Sequence, residues 1–205
     1  MAIADYTSLQ TSVANWLNRS DLTANIPDFI TLCETDFNRK LRIRAMESRQ
    51  NATINAGGPS TLPSGYVGAK RIILTSDPNP PIDYVTPEQF SKMYPITSLQ
   101  GRPKKFTIIA SEIHFAPIPD SAYQVEMVLY SPFAALSSGV NWMITNAPDV
   151  YLYGTLLQSA PFIKDKDSLE VWQGFYQNGL DWLNKRDQED RHPTTLMVRS
   201  DSNPS

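Results

Sequence analysis

Hydrophobic spacing changes period twice along the chain: helical at the start, alternating in the middle, helical again at the end. In the first stretch Leu9, Val13, Trp16 and Leu17 fall on one face, and Thr7 with Gln10 has capping-box spacing. That predicts a helix over 7–18, followed by a polar turn from Asn18 to Thr23. Pro27 suits a first helical position, and Phe29, Cys33, Phe37 and Leu41 recur every fourth residue, predicting a second helix to about Arg44. From about Arg49 to Phe133 apolar residues alternate with polar ones and prolines sit at the ends of the runs. Thr53 to Leu62, around Asn55-Ala56-Gly57-Gly58, predicts a hairpin. Further strands are predicted over 71–75, 82–85, 105–110, 112–116 and 123–130, with a short helix opened by Thr86-Pro87-Glu88. Helical spacing returns with Val150, Tyr153, Leu156 and Leu157 behind Asn146-Ala147-Pro148-Asp149, until Pro161 ends or kinks the run. Leu169, Trp172, Phe175, Tyr176, Leu180 and Leu183 line a last helix to about Asp187. Pro193 to Ser205 has no periodicity and is expected to order only on a partner.

These elements predict an α+β fold. Its expected form is a four-helix bundle built from the N- and C-terminal helix pairs (1–47 and 134–192), an inserted antiparallel β sub-domain (48–133), and an extended, flexible C-terminal tail (193–205).

Composition narrows the class. With 205 residues and 41% hydrophobic content, the chain is long enough to fold without disulfides or metals. Lys and Arg number 18 against 21 Asp and Glu, a formal net charge of -3. A DNA-binding protein gains most of its affinity by neutralising phosphates and carries a basic excess, which is missing here. The first residues lack the basic and apolar regions of a signal peptide, and no apolar run reaches the ~20 residues of a membrane span.

The residues that carry chemistry are scattered. The only cysteine, Cys33, falls in an apolar helical pattern. His114 sits in a strand pattern and His192 borders the aperiodic tail, so neither makes a zinc spacing or a positioned base. Asp187, Glu189 and Asp190 alternate with Lys185, Arg186 and Arg191, the pattern of a solvated helix end. No catalytic, metal or cofactor site is expected. That argues against a small hydrolase. Arg39, Lys40, Arg42 and Arg44 crowd the end of the second helix. They complement its dipole, or they contact a neighbour.

The order of short segments carries more. Tyr6-x-x-Leu9 and Trp16-Leu17-Asn18-Arg19-Ser20-Asp21-Leu22 come first, then Ile26-Pro27-Asp28-Phe29-Ile30 and Leu41-Arg42-Ile43-Arg44. Leu62-Pro63-x-x-Tyr66, Tyr84-Val85-Thr86-Pro87-Glu88 and Gly101-Arg102-Pro103 follow, and Pro148-Asp149-Val150-Tyr151-Leu152-Tyr153-Gly154 and Ala160-Pro161-Phe162 close the series. Together they resemble the head–tail adaptor (connector) proteins of tailed phages, the tail-tubular-A-like group of short-tailed phages. The resemblance implies a structural virion protein at the head–tail junction, assembled in the host bacterial cytoplasm. It implies a twelve-subunit ring that joins the portal protein to a downstream tail or nozzle protein. The genome would pass through the lumen without specific binding, and tail fibres are a further candidate partner. By the same resemblance Leu196, Met197, Val198 and Arg199 are expected to bind the portal. The basic end of the second helix, Arg39, Arg42 and Arg44, is separately expected, from its charge, to contact a neighbouring subunit or the portal. The alternative is a virion-associated binding module that recognises tail fibres or glycans, for instance through Tyr66, Tyr84 and Tyr94.

Overall fold

Asp5 and Ser8, rather than Thr7 and Gln10, close the first capping box. The Asp5 carboxylate accepts from the Ser8 N–H at 2.7 Å, and the Ser8 hydroxyl accepts from the Asp5 N–H at 3.0 Å. This cap starts α1, Tyr6–Leu17, in a computed structural model that describes residues 2–76, 78, 80–95, 99–165 and 167–191. The second helix, α2, Ile26–Lys40, stops short of Arg44. Leu41 is extended, and the Arg42 guanidinium donates to the Asn38 and Arg39 carbonyls at 2.9 and 3.3 Å, taking up the acceptors a helix end leaves open. A single 3-10 turn, Arg44–Met46, leads into the sheet.

The described chain divides into two compact units, one of residues through Ala45 and from Phe133, the other of Met46–Pro132. The second unit holds β1 (Glu47–Ile54), β2 (Ser60–Thr61), β3 (Gly68–Leu74), β4 (Pro81–Tyr84), α3 (Pro87–Met93), β5 (Lys105–Ile109), β6 (Glu112–Ala116) and β7 (Tyr123–Tyr130). They form one seven-stranded sheet in the order β1-β7-β3-β4-β5-β6-β2. Its core follows the two-residue period: Val125, Met127 and Leu129 of β7 point inward, with Ile72 and Leu74 of β3 and Phe106, Ile113 and Phe115 from β5 and β6. The polar face of the same strands is laced by charge, with Arg49 and Arg71 both paired to Glu126 of β7. The predicted 53–62 hairpin does not form. The turn at Asn55 to Gly58 is present, with Gly57 at φ 85, but β1 pairs with β7 and β2 with β6.

The first unit adds α4 (Trp142–Asn146), α5 (Pro148–Ile163) and α6 (Asp167–Arg191) to α1 and α2. The expected four-helix bundle is not what they make. The described residues form six α-helices, and in this unit four of them surround a fifth, the hub α5. Val150, Tyr151, Leu152, Gly154, Thr155, Leu156, Ser159 and Ala160 bury α5 around its whole circumference, and α1, α2, α4 and α6 each pack on it. A bundle needs four helices with one apolar stripe apiece facing a shared axis. A helix apolar on all sides is instead wrapped by its neighbours. Nor is the β part a purely antiparallel insertion: β4 and β5 run parallel, in a seven-stranded sheet with its own core. The α+β class stands, while the bundle architecture is corrected. The expected tail falls outside the described residues, apart from the helix end before it.

Small residues set the spacing at the hub. Gly154 of α5 lies where a Cβ would sit 2.4 Å from the Cys33 sulfur of α2 and 2.8 Å from Tyr176 of α6. Gly179 of α6 faces Val150 of α5 in the same way, at 2.8 Å. Polar clasps then fix the register. Tyr151 sits fully buried, accepts from Asn141 Nδ2 at 2.6 Å and donates to Glu34 Oε1 at 3.1 Å. Tyr176 donates to Asp36 Oδ2 at 2.7 Å, and the Lys40 ammonium lies over its ring.

Candidate interaction interface

Apolar side chains left on the surface distinguish the helical unit. The last helix carries two apolar stripes. Trp172, Tyr176, Gly179, Leu180 and Leu183 are buried. Val171, Phe175 and Trp182, on another face, are each between 51% and 55% exposed. Phe175 is expected in the core stripe, but the 3.6-residue period places it about 60° from the buried Trp172 and about 100° from the buried Tyr176, toward the solvent edge. Phe175 stacks on Tyr153 of α5 with centroids 4.8 Å apart, and Tyr153 meets the exposed Trp16 of α1 edge-on at 5.7 Å. An aromatic row thus crosses α1, α5 and α6. Leu32 of α2 and Phe162 of α5 are similarly exposed, and Phe162 lies against Phe29 at 5.6 Å. Exposed aromatic clusters of this kind mark protein–protein contact surfaces. The sequence did hold a signal for them: α6 has more apolar positions than one stripe can bury.

The three arginines expected to make contacts are used differently. Arg42 caps its own helix. The Arg44 N–H donates to Asp187 Oδ1 at 2.8 Å, and its guanidinium reaches Asp190 Oδ2 at 2.7 Å. Arg191 completes the network on Asp187 Oδ2 at 2.6 Å. Only Arg39 is exposed with no side-chain hydrogen bond or ion pair among the described residues. Leu196, Met197, Val198 and Arg199 lie outside the described residues.

Asp187 is the electrostatic centre of that network. Burial pushes its carboxyl up, but the Arg44 N–H and the Arg191 and Arg44 guanidiniums outweigh burial and hold it below the ordinary carboxylate range. A carboxyl whose folded pKa is depressed contributes stability above its unfolded pKa, near 4, and loses it as pH falls through the folded value. Asp187→Asn is therefore expected to cost about 2 kcal/mol at neutral pH. The difference between variant and wild type should shrink on acidification below about pH 4. Urea denaturation at several pH values checks both, and a pH-independent difference would contradict the assignment.

The β unit offers a groove of about 230 Å³ lined by Phe90 of α3, Tyr94 just after it, Leu99, Phe115 of β6 and Pro117 to Pro119. His114 borders it, with Nε2 3.4 Å from Glu112. Tyr66 and Tyr84 line a separate depression with Ala69 and Ile108, so the three tyrosines considered for fibre or glycan binding are not gathered. Cys33 is buried, and burial pushes its thiol far up, away from reactive thiolate. Among the described residues no group of three or more His, Cys, Asp or Glu could hold a metal ion, and no helix is long and apolar enough to cross a membrane.

A comparison with curated proteins finds no match. The model of one family, the SU10 adaptor protein, matches residues 4–199, nearly the whole chain and both of its units. A match of that extent identifies the chain as a member of the SU10 adaptor protein family, structural proteins of the phage virion.

Proposed function

We propose that this adaptor forms a closed ring of twelve copies at the head–tail junction, docked beneath the portal protein and receiving a downstream tail or nozzle protein. The genome passes through its lumen without specific binding, and tail fibres attach at the perimeter where they are present. Assembly takes place in the host bacterial cytoplasm. The observation that carries this reading is the set of exposed apolar side chains on the helical unit of a chain from a structural adaptor family. A ring needs each subunit to present two different faces, one for each neighbour. The helical unit supplies Trp16, Val171, Phe175 and Trp182 on one stretch of surface and Leu32 with Phe162 on another. A formal net charge of -3 suits a ring through which DNA must slide.

In this reading the C-terminal tail docks on the portal through Leu196, Met197, Val198 and Arg199, ordering as it binds. Deletion of residues 194–205 is expected to leave the thermal unfolding transition unchanged and to weaken co-sedimentation with portals by about tenfold or more. Unchanged co-sedimentation would remove the tail from the portal contact.

A further inference from the structure

We infer that Trp182 of one copy enters the β-unit groove of a second copy of this chain, its ring against Phe90 and Tyr94, while the Arg186 guanidinium that stacks on the ring pairs with Glu112 at the groove's margin. The inference rests on the ring reading and specifies one of its subunit contacts. The groove suits one large flat ring. Phe90 and Tyr94, with centroids 5.9 Å apart, line it together with Ala116 and Pro117 to Pro119. A cavity of about 150 Å³ holds benzene, so about 230 Å³ leaves room for the two fused rings of an indole. His114 lines the groove too, and the Glu112 carboxylate stands 3.4 Å from its Nε2, about half exposed. The groove is thus an apolar slot with an anion just beyond its rim.

Among the exposed rings of the helical unit, Trp182 is the one that matches this slot. Trp16 and Phe175 already pack on Tyr153, Phe162 on Phe29 and Trp142 on Phe133. Trp182 is 51% exposed and has no ring neighbour among the described residues. It carries a cation instead: the Arg186 guanidinium lies 5.1 Å over its ring. The two residues are four apart on α6, about 40° round the helix, so ring and guanidinium leave the same side together. Arg186 has no ion pair among the described residues, and the side-chain partner of Glu112 there is the His114 imidazole. With the ring in the slot, a cation stacked on it comes within reach of an anion at the rim. Aromatic and arginine anchors seated in apolar pockets dominate interface energies, and the charge pair fixes which way the ring enters.

One chain carries both halves of the contact: the ring and its cation on α6, the slot and its anion on the β unit. A second copy therefore supplies the occupant. The contact joins unlike faces and is heterologous, the type that propagates around a ring.

A charge swap and a cross-link test the contact. Arg186→Glu and Glu112→Arg are each exposed substitutions expected to keep the wild-type melting transition, which circular dichroism verifies for every variant. Each single reversal should reduce the copies assembled on portal particles, counted by electron microscopy, by about tenfold. The double variant restores opposite charges at every interface and should recover assembly close to wild type. Separately, Asn178→Cys, one turn before Trp182, is combined with Gly58→Cys on the groove lining, where a Cβ meets nothing within 4 Å. The native Cys33 is buried. On portals a short bifunctional maleimide should join these cysteines into a ladder of linked copies on a denaturing gel. Normal assembly of either single reversal, failure of the double variant to recover, cross-linking confined to single chains, or no cross-link overturns this interface, while wild-type rings leave the ring reading standing. A wild-type chain that forms no ring on portals overturns both.

Discussion

Gly154→Ala is expected to destabilise the helical unit by about 3 kcal/mol, because it overpacks a site with no room to relax. The new methyl would sit 2.4 Å from the Cys33 sulfur and 2.8 Å from the Tyr176 ring, well inside van der Waals contact. Neither neighbour can retreat. Cys33 is fully buried on α2, and the Tyr176 hydroxyl is held by Asp36 at 2.7 Å. The added carbon must therefore push α2 or α6 away from α5, and every contact along the hub feels the shift. Cys33→Ala removes the nearer obstacle, so the double variant should regain part of the loss, a coupling that separated sites would not show. Urea unfolding followed by tryptophan fluorescence measures this. A change in Gly154→Ala below about 0.5 kcal/mol would mean that the three helices do not pack as described.

Tyr151→Ala is expected to cost about 4 kcal/mol, the usual range for deleting a large buried aromatic. Tyr151 is 0% exposed and stands edge-on to Phe37 of α2 with centroids 5.2 Å apart. Its hydroxyl joins Asn141 to Glu34, and Glu34 also accepts the Leu136 N–H at 2.7 Å. Truncation leaves a cavity and strands two polar side chains in a part-buried site. Tyr151→Phe separates the contributions: it keeps the ring and should cost only about 1–2 kcal/mol. Since a whole domain is stable by only about 5–15 kcal/mol, the alanine variant should show a melting transition lowered by many degrees. Equal losses in the two variants would place the energy in the hydroxyl network rather than in packing.

How far the sequence discloses this fold depends on whether a feature is local. Glu112–Ala116 and Tyr123–Tyr130 are read at their observed bounds because an apolar residue stands at every second position, Ile113 and Phe115 in one and Tyr123, Val125, Met127 and Leu129 in the other. The end of α2 is misread because Leu41 continues the apolar period while the backbone has already turned extended at ψ 142, with the Arg42 side chain closing the helix. The 53–62 hairpin fails for a related reason. Asn55 to Gly58 does turn the chain, but which strand pairs with which is decided by burial far along the sequence, and β1 finds β7 some seventy residues on. The hub is hidden for a third reason. Val150, Tyr153, Leu156 and Leu157 suggest one stripe, whereas Gly154, Thr155, Ser159 and Ala160, small or polar by type, are buried as well.

The candidate surface was legible only in part. The basic run at Arg39 to Arg44 draws notice as a block, but geometry distributes it: Arg42 to its own helix end, Arg44 to Asp187 and Asp190, Arg39 to solvent. Charge counting cannot separate these roles, because the acidic partners of Arg44 lie 143 and 146 residues away in sequence. The exposed stripe of Val171, Phe175 and Trp182 escapes notice because each residue type is common in cores, and only the hub's position decides which face of α6 turns inward.

Electron microscopy of the purified chain mixed with its portal protein tests the adaptor ring most directly. A closed ring of twelve copies, seated coaxially beneath the portal with an open lumen, is the predicted image. Portals that remain bare at saturating protein, or density that is an incomplete cluster without a through-channel, would contradict it.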